Sequence, residues 1–165
     1  MFLEEQLGPL AQLARALPWH GRGQGFKSLM VHHFFMKTTL HHFAYSITPD
    51  SLELFLKLLE KMGCSLDYRE GDSRWCMIKQ GSVKAFIQVT EVHDCPVVDS
   101  NKKINTHLAF LSDNPKDDVL EVKSWAKNNN IKFRSGSWSD KELWFDLPDI
   151  FLNFVVEIMD RSVVE

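Results

Sequence analysis

Two histidines and two oxygen-bearing side chains stand at matched places in this sequence. His42 lies in Leu40-His41-His42-Phe43-Ala44, and His107 lies in Asn105-Thr106-His107-Leu108-Ala109, 65 residues further on. Each is followed two residues later by an alanine. Gln88 lies in Phe86-Ile87-Gln88-Val89, and Glu157 lies 69 residues beyond it in Phe154-Val155-Val156-Glu157-Ile158. Imidazole nitrogen with carboxylate or amide oxygen makes a donor set of intermediate softness. Two of each suit a six-coordinate divalent ion, Co²⁺, Ni²⁺, Mn²⁺, Fe²⁺ or Zn²⁺, with two positions left for water or substrate. Such an ion polarises a carbonyl or stabilises an enolate. A doubled fold giving one imidazole and one oxygen donor per copy could build this site where the copies meet.

The elements around these residues also come in two rounds. In the first, Thr38 to Ile47 alternates as a strand. Pro49-Asp50-Ser51 then opens a helix with Asp50 or Ser51 as N-cap. Leu52, Phe55, Leu56, Leu59 and Met62 form its apolar stripe, and Gly63 stops it. Strands follow at Ser65 to Arg69, Arg74 to Lys79 and Val83 to Glu91, the last two joined by a turn at Gln80-Gly81. The second round repeats the order. Ile104 to Leu111 is its first strand. Asp113-Asn114-Pro115 opens a helix with Val119, Val122, Trp125 and Ala126 on one face, and Asn128-Asn129-Asn130 ends it. Ile131 to Arg134, Glu142 to Asp146 and Phe151 to Ile158 complete the round. The expectation is an α+β chain of two tandem β-α-β-β-β modules, about 38–93 and 104–160, forming a mixed, partly open, barrel-like cleft.

Strand alternation sorts the side chains. His42, Ala44 and Ser46 share one face, and His107, Ala109 and Leu111 share the corresponding one. Phe86, Gln88 and Thr90 go together, as do Phe151, Asn153, Val155 and Glu157. These mixed faces would line the cleft. Leu152, Phe154, Val156 and Ile158 would pack under the helices. The same alternation puts His41 opposite His42.

The bulk properties remove several functions. A net charge of −3 gives no basic field for nucleic acid. Cys64, Cys76 and Cys95 are scattered and lack a C-x-x-C pair, which argues against a thiolate zinc site or disulfide scaffold and for a reducing, cytoplasmic setting. No apolar run is long enough to span a bilayer, so no membrane partner is expected. No G-x-S-x-G, P-loop or H-E-x-x-H pattern supports a serine hydrolase, an NTPase or a zincin. Residues 1 to about 35 read differently. Gly21, Gly23 and Gly25 interrupt any period, and Ala11 to Ala16 with Gly21 to Phe26 resembles a conceptual translation across a transfer-RNA gene. Met36 is therefore a candidate start, and His20, His32 and His33 belong to an extension outside the site.

From about residue 38 to 160 the chain resembles the vicinal oxygen chelate superfamily, the glyoxalase, bleomycin-resistance and extradiol-dioxygenase group. The resemblance is carried by His42-Phe43-Ala44-Tyr45-Ser46-Ile47 ahead of a helix ending Leu58-Leu59-Glu60-Lys61-Met62-Gly63-Cys64. His107-Leu108-Ala109-Phe110 ahead of the second helix adds to it, as does Asp146-Leu147-Pro148-Asp149 leading to Val156-Glu157-Ile158. It implies metal ligands from the first and last strand of each module, here His42, Gln88, His107 and Glu157, and a homodimer. It implies a lyase or isomerase acting on a small carbonyl compound, with Glu157 as the candidate proton-moving group. The ligand set is similar to that of methylmalonyl-CoA epimerases. Bacterial glyoxalase I usually has Glu at the Gln88 position. Two departures separate the chain from these groups. Ile104-Asn105-Thr106-His107 stands in place of a glycine-rich lead into paired histidines, and Asp146-Leu147-Pro148-Asp149-Ile150 lacks the glycine of the family turn.

Other readings of the same residues stay open at this level. His42 and His107 could be satisfied histidines of a metal-free protein of the bleomycin-resistance type that binds a small molecule. Gln88 could be a plain polar lining residue. An extradiol dioxygenase would want further acid–base groups. Trp75, Trp138 and Trp144, with Phe86 and Phe110, are candidate walls of an apolar pocket. Arg74, Lys79 and Lys84 are candidate contacts for an anionic substrate.

Overall fold

A computed structural model describes residues 38–81 and 83–164. The expectations for residues 1–35, including His20, His32 and His33, lie outside the described residues. The elements run β1 (His42–Ile47), α1 (Leu52–Lys61), β2 (Cys64–Tyr68), β3 (Trp75–Gln80), β4 (Phe86–Glu91), α2 (Ser100–Lys103), β5 (His107–Ser112), α3 (Pro115–Asn128), β6 (Arg134–Ser137), β7 (Glu142–Asp146) and β8 (Val155–Asp160). Two four-stranded sheets result, ordered β1-β4-β3-β2 and β5-β8-β7-β6. In each, the first and last strands pair in parallel and the other neighbours antiparallel. This is the α+β doubling expected from the repeat. The sheets remain separate and do not close into a barrel.

The helices form where the patterns place them. In α1, Leu52, Phe55, Leu58 and Leu59 are buried, and Gly63 stops the chain at φ +78°. The N-terminus of α1 is held differently from the expected cap. Ser51 makes no side-chain cap, and the Leu52 amide donates 2.7 Å to a carboxylate oxygen of Glu91, from the end of β4. In α3, Pro115 fits the first turn, where no intrahelical amide bond is lost. Asn130 leaves that helix at φ +55°, in the left-handed region that asparagine tolerates.

Four strands depart from the sequence reading by several residues. β1 and β4 begin several residues late. β6 lies at Arg134–Ser137, beyond the apolar Ile131 and Phe133, which pack on the core instead. Phe151 to Phe154 is not strand. Phe151, Leu152 and Phe154 are buried and Asn153 is exposed, so Phe151 joins the core and not the expected cleft face, leaving one isolated bridge from Ile47 to Phe151. The polar linker also hides a helical turn, α2, on which Lys103 is fully buried in an ion pair with Asp146 at 2.8 Å.

Each helix covers one face of its own sheet, and the covered faces share one core. Ile47, Cys76, Ile78 and Val89 from the first module join Phe110, Val156 and Ile158 from the second. Phe55 of α1 meets Phe151 edge-on at 5.3 Å, and Phe151 stacks on Phe154 at 4.5 Å. Each of these fully buried rings contributes roughly 1.5–3 kcal/mol, so the modules are joined through their helix-covered sides.

Candidate metal and ligand site

The matched spacing in the sequence becomes a matched register. His42 opens β1 opposite Phe86, and two residues on Ala44 lies opposite Gln88. His107 opens β5 opposite Val155, and two residues on Ala109 lies opposite Glu157. Each module thus carries an imidazole on an edge strand and an oxygen donor one pleat repeat along on the adjacent strand. A small alanine stands beside each oxygen donor. All four candidate ligands are on the face of their sheet away from the helices, because their neighbours Ile47, Val89, Phe110 and Val156 point into the core.

In the second module the two ligands meet. His107 Nε2 lies 3.4 Å from Glu157 Oε2. Glu157 is only 5% exposed, and among the described residues no hydrogen bond of good geometry ends on it. Burial pushes its carboxyl above the ordinary range; His107 pulls it back and Glu142 adds to the rise. A buried carboxylate with spare acceptor capacity facing an imidazole favours a cation. Trp138 sits over His107 with ring centres 5.2 Å apart. Trp144 lies across the ladder from Glu157 and is pressed against Gly136, where a Cβ would come within 2.5 Å of the indole.

In the first module the corresponding pair lines an open groove of about 390 Å³, walled by Tyr68, Trp75, Met77 and Phe86. The Gln88 amide nitrogen reaches Thr90 Oγ1 at 3.4 Å, which leaves its carbonyl oxygen available. His41 lines the same groove, with its Nδ1 3.0 Å from that of His42 and its ring 5.2 Å from Phe86. Its expected place opposite His42 is corrected here. Alternation does not reach back to it, because the strand begins at His42.

The four expected ligands do not all converge within one chain. Among the described residues no three His, Cys, Asp or Glu side chains lie close enough together to hold a metal ion. The reason is the packing of the modules: their shared core is on the helix side, and each ligand pair lies on the opposite side of its own sheet. The remaining candidates divide similarly. Trp75 and Phe86 line the groove beside His42, and Trp138 and Trp144 flank His107 and Glu157. Phe110 instead faces the helix side, lining a second cavity with Leu58, Val122, Trp125 and Ile158. Arg74 is held by Glu91 through two 2.7 Å hydrogen bonds, and Lys79 pairs with Asp67 at 2.8 Å.

No protein-family model and no curated protein sequence matches the chain. Solved structures do. A candidate glyoxalase from Bacillus halodurans is 20% identical over 75% of this chain and 96% of its own, with a TM-score of 0.50. The fosfomycin resistance protein FosX of Mesorhizobium loti is 15% identical over 76% and 93%, with a TM-score of 0.48. TnmS3, an antibiotic binding protein from a Streptomyces species, is 11% identical over 76% and 98%, with a TM-score of 0.47. The doubled βαβββ architecture is the vicinal oxygen chelate fold. At these identities the likeness describes the fold and leaves the chemistry to the site.

Proposed function

We propose that this protein is a metal-dependent lyase or isomerase acting on a small carbonyl compound, with its site completed between two copies of the chain. His42 and Gln88 of one protomer and His107 and Glu157 of its partner would hold the ion. The observation that carries this reading is the register: the same pair of donor positions recurs on both sheets, on faces that a single chain leaves apart. A two-fold dimer that brings the first sheet of one protomer against the second sheet of the other unites the pairs twice. A divalent ion, when bound there, supplies a Lewis acid for a carbonyl or enolate oxygen. Glu157 is the group to move the proton, because its carboxylate is buried and lacks hydrogen bonds that would hold it in the charged state.

Complementation tests this. His42→Ala and Glu157→Ala, each purified as the full chain, should each lose most divalent metal. Mixed and allowed to exchange, half of the dimers carry one intact site, so metal content should return to about a quarter of wild type. A failure to recover metal in mixed dimers that are shown to form would rule out a site shared between protomers.

A second reading is a metal-free binding protein for a small molecule. The 3.4 Å contact between His107 and Glu157 favours it, since a protonated imidazole can neutralise the buried carboxylate by itself. Wild-type protein that takes up no divalent ion, and is not stabilised by one, would decide for this reading.

A further inference from the structure

The groove on the open face of the first sheet has a definite chemical character. Its walls are aromatic and apolar. Trp75 and Met77 project from β3, Phe86 from β4 and Tyr68 from β2. Tyr68 is half exposed and its ring centre lies 5.7 Å from that of Trp75. Aromatic surface gathered in a concavity, with a few polar groups at one side, is the usual form of a small-molecule site. The polar groups here are the Gln88 amide, the His41 and His42 imidazoles and Asp67. In register, Met77 lies opposite Gln88 and Trp75 opposite Thr90, so the aromatic wall runs directly up to the Gln88 amide.

The charges narrow the ligand further. The one acid on the groove wall among the described residues, Asp67, is matched by Lys79 at 2.8 Å. Arg74, just ahead of β3, is committed to Glu91. Among the described residues no unpaired lysine or arginine therefore lines the groove, so without a metal ion an anionic ligand finds no fixed counter-charge there. A volume of about 390 Å³ is large against the roughly 150 Å³ that encloses benzene, so one or two fused rings fit.

We infer that this groove selects a neutral, flat aromatic compound whose ring stacks on Trp75 and whose oxygen atoms point to Gln88 and His42. This inference rests on the groove being the substrate side of the site proposed above, and it names the class of carbonyl compound that the site takes. Aliphatic carbonyls lack the stacking surface, and phosphonates and carboxylates meet no lysine or arginine on the groove wall.

Isothermal calorimetry on the full-length protein tests it, with each probe titrated into chelator-treated samples. The probes are 2-hydroxyacetophenone (neutral, aromatic), hydroxyacetone (neutral, aliphatic) and phenylphosphonate (aromatic, anionic). The first should bind about tenfold more tightly than either of the others. Trp75→Ala should weaken it by about tenfold, and Trp75→Phe should restore most of the loss. Phenylphosphonate binding as tightly as the ketone would overturn the inference. So would an affinity indifferent to Trp75→Ala, or no binding of any probe, the result expected if a second copy's side chains fill the groove. The preference is read without metal, so it survives or fails separately from the metal-dependent reading.

Discussion

His107 Nε2 and Glu157 Oε2 stand 3.4 Å apart on neighbouring parallel strands, in a part of the sheet where the carboxylate is nearly excluded from water. Such a placement costs stability and is retained where the group has work to do. The same register in the first module holds His42 and Gln88, so the chain carries two related donor pairs on the outer faces of one core.

Glu157 gives the clearest test of that cost. Its carboxyl is raised above the ordinary value by burial, partly offset by His107. A carboxyl raised in the folded state destabilises above its unfolded pKa, and the penalty fades as pH falls through the folded value. In chelator at pH 8, Glu157→Gln should therefore melt at or a few degrees above wild type, with the difference disappearing under acidic conditions. The same variant should no longer gain melting temperature from added divalent ion. A variant that melts well below wild type in chelator would contradict this account.

Gly136 is held to hydrogen by Trp144. A methyl group there would meet the indole at 2.5 Å, so Gly136→Ala must displace the ring that lies across from Glu157. The expected outcome is a loss of about 1–3 kcal/mol in urea unfolding, typical of overpacking, together with a changed tryptophan emission spectrum. Divalent-metal affinity should fall in the same variant, because the wall beside Glu157 moves.

The buried pair Lys103–Asp146 fastens the turn between the modules to β7. Lys103 Nζ also donates to the Phe151 carbonyl at 2.8 Å, and Ser100 donates to Asp146. Lys103→Met leaves a buried carboxylate without its partner and should cost about 3–5 kcal/mol. The double variant Lys103→Met with Asp146→Leu should recover a large part of that loss. Urea midpoints of the two single variants and the double variant measure the coupling.

Glu91 links acid stability to the start of α1. Burial alone would raise its carboxyl, but bonds from the Leu52 amide, Arg74 and the Asp50 amide outweigh that and hold it below the ordinary 4.5. The contribution is present above that ordinary value and lost as pH falls through the lower folded value. Glu91→Gln should be less stable than wild type at pH 7, and the two should draw together as pH is lowered. Equal stability at pH 7 would show that the carboxylate anchors nothing.

Much of this protein was legible in its residues. The i, i+3, i+4 stripe from Leu52 to Leu59 and the alternation through His42 to Ile47 each state which face is buried, because helix and strand periods are local properties of the backbone. The doubling of those patterns was enough to give each module one imidazole and one oxygen donor, His42 with Gln88 and His107 with Glu157. The Phe151 to Phe154 segment was not legible in the same way. An apolar run looks alike whether it lies in a strand or turns into a core, and only its contacts with Phe55 and Ile47 separate the two. The burial of Lys103 was hidden for a similar reason, since nothing near it in sequence announces Asp146.

The sequence by itself determined two βαβββ modules, the apolar face of each, and the donor residues opposite. What the tertiary structure alone decided is how the modules meet. Local periodicity says that each sheet has one face to bury, and it does not say which surface of the other module will cover it. The aromatic contacts of Phe55, Phe151 and Phe154 bring the helix-covered faces into one core, and that choice leaves the two ligand pairs on separate outer faces of the chain.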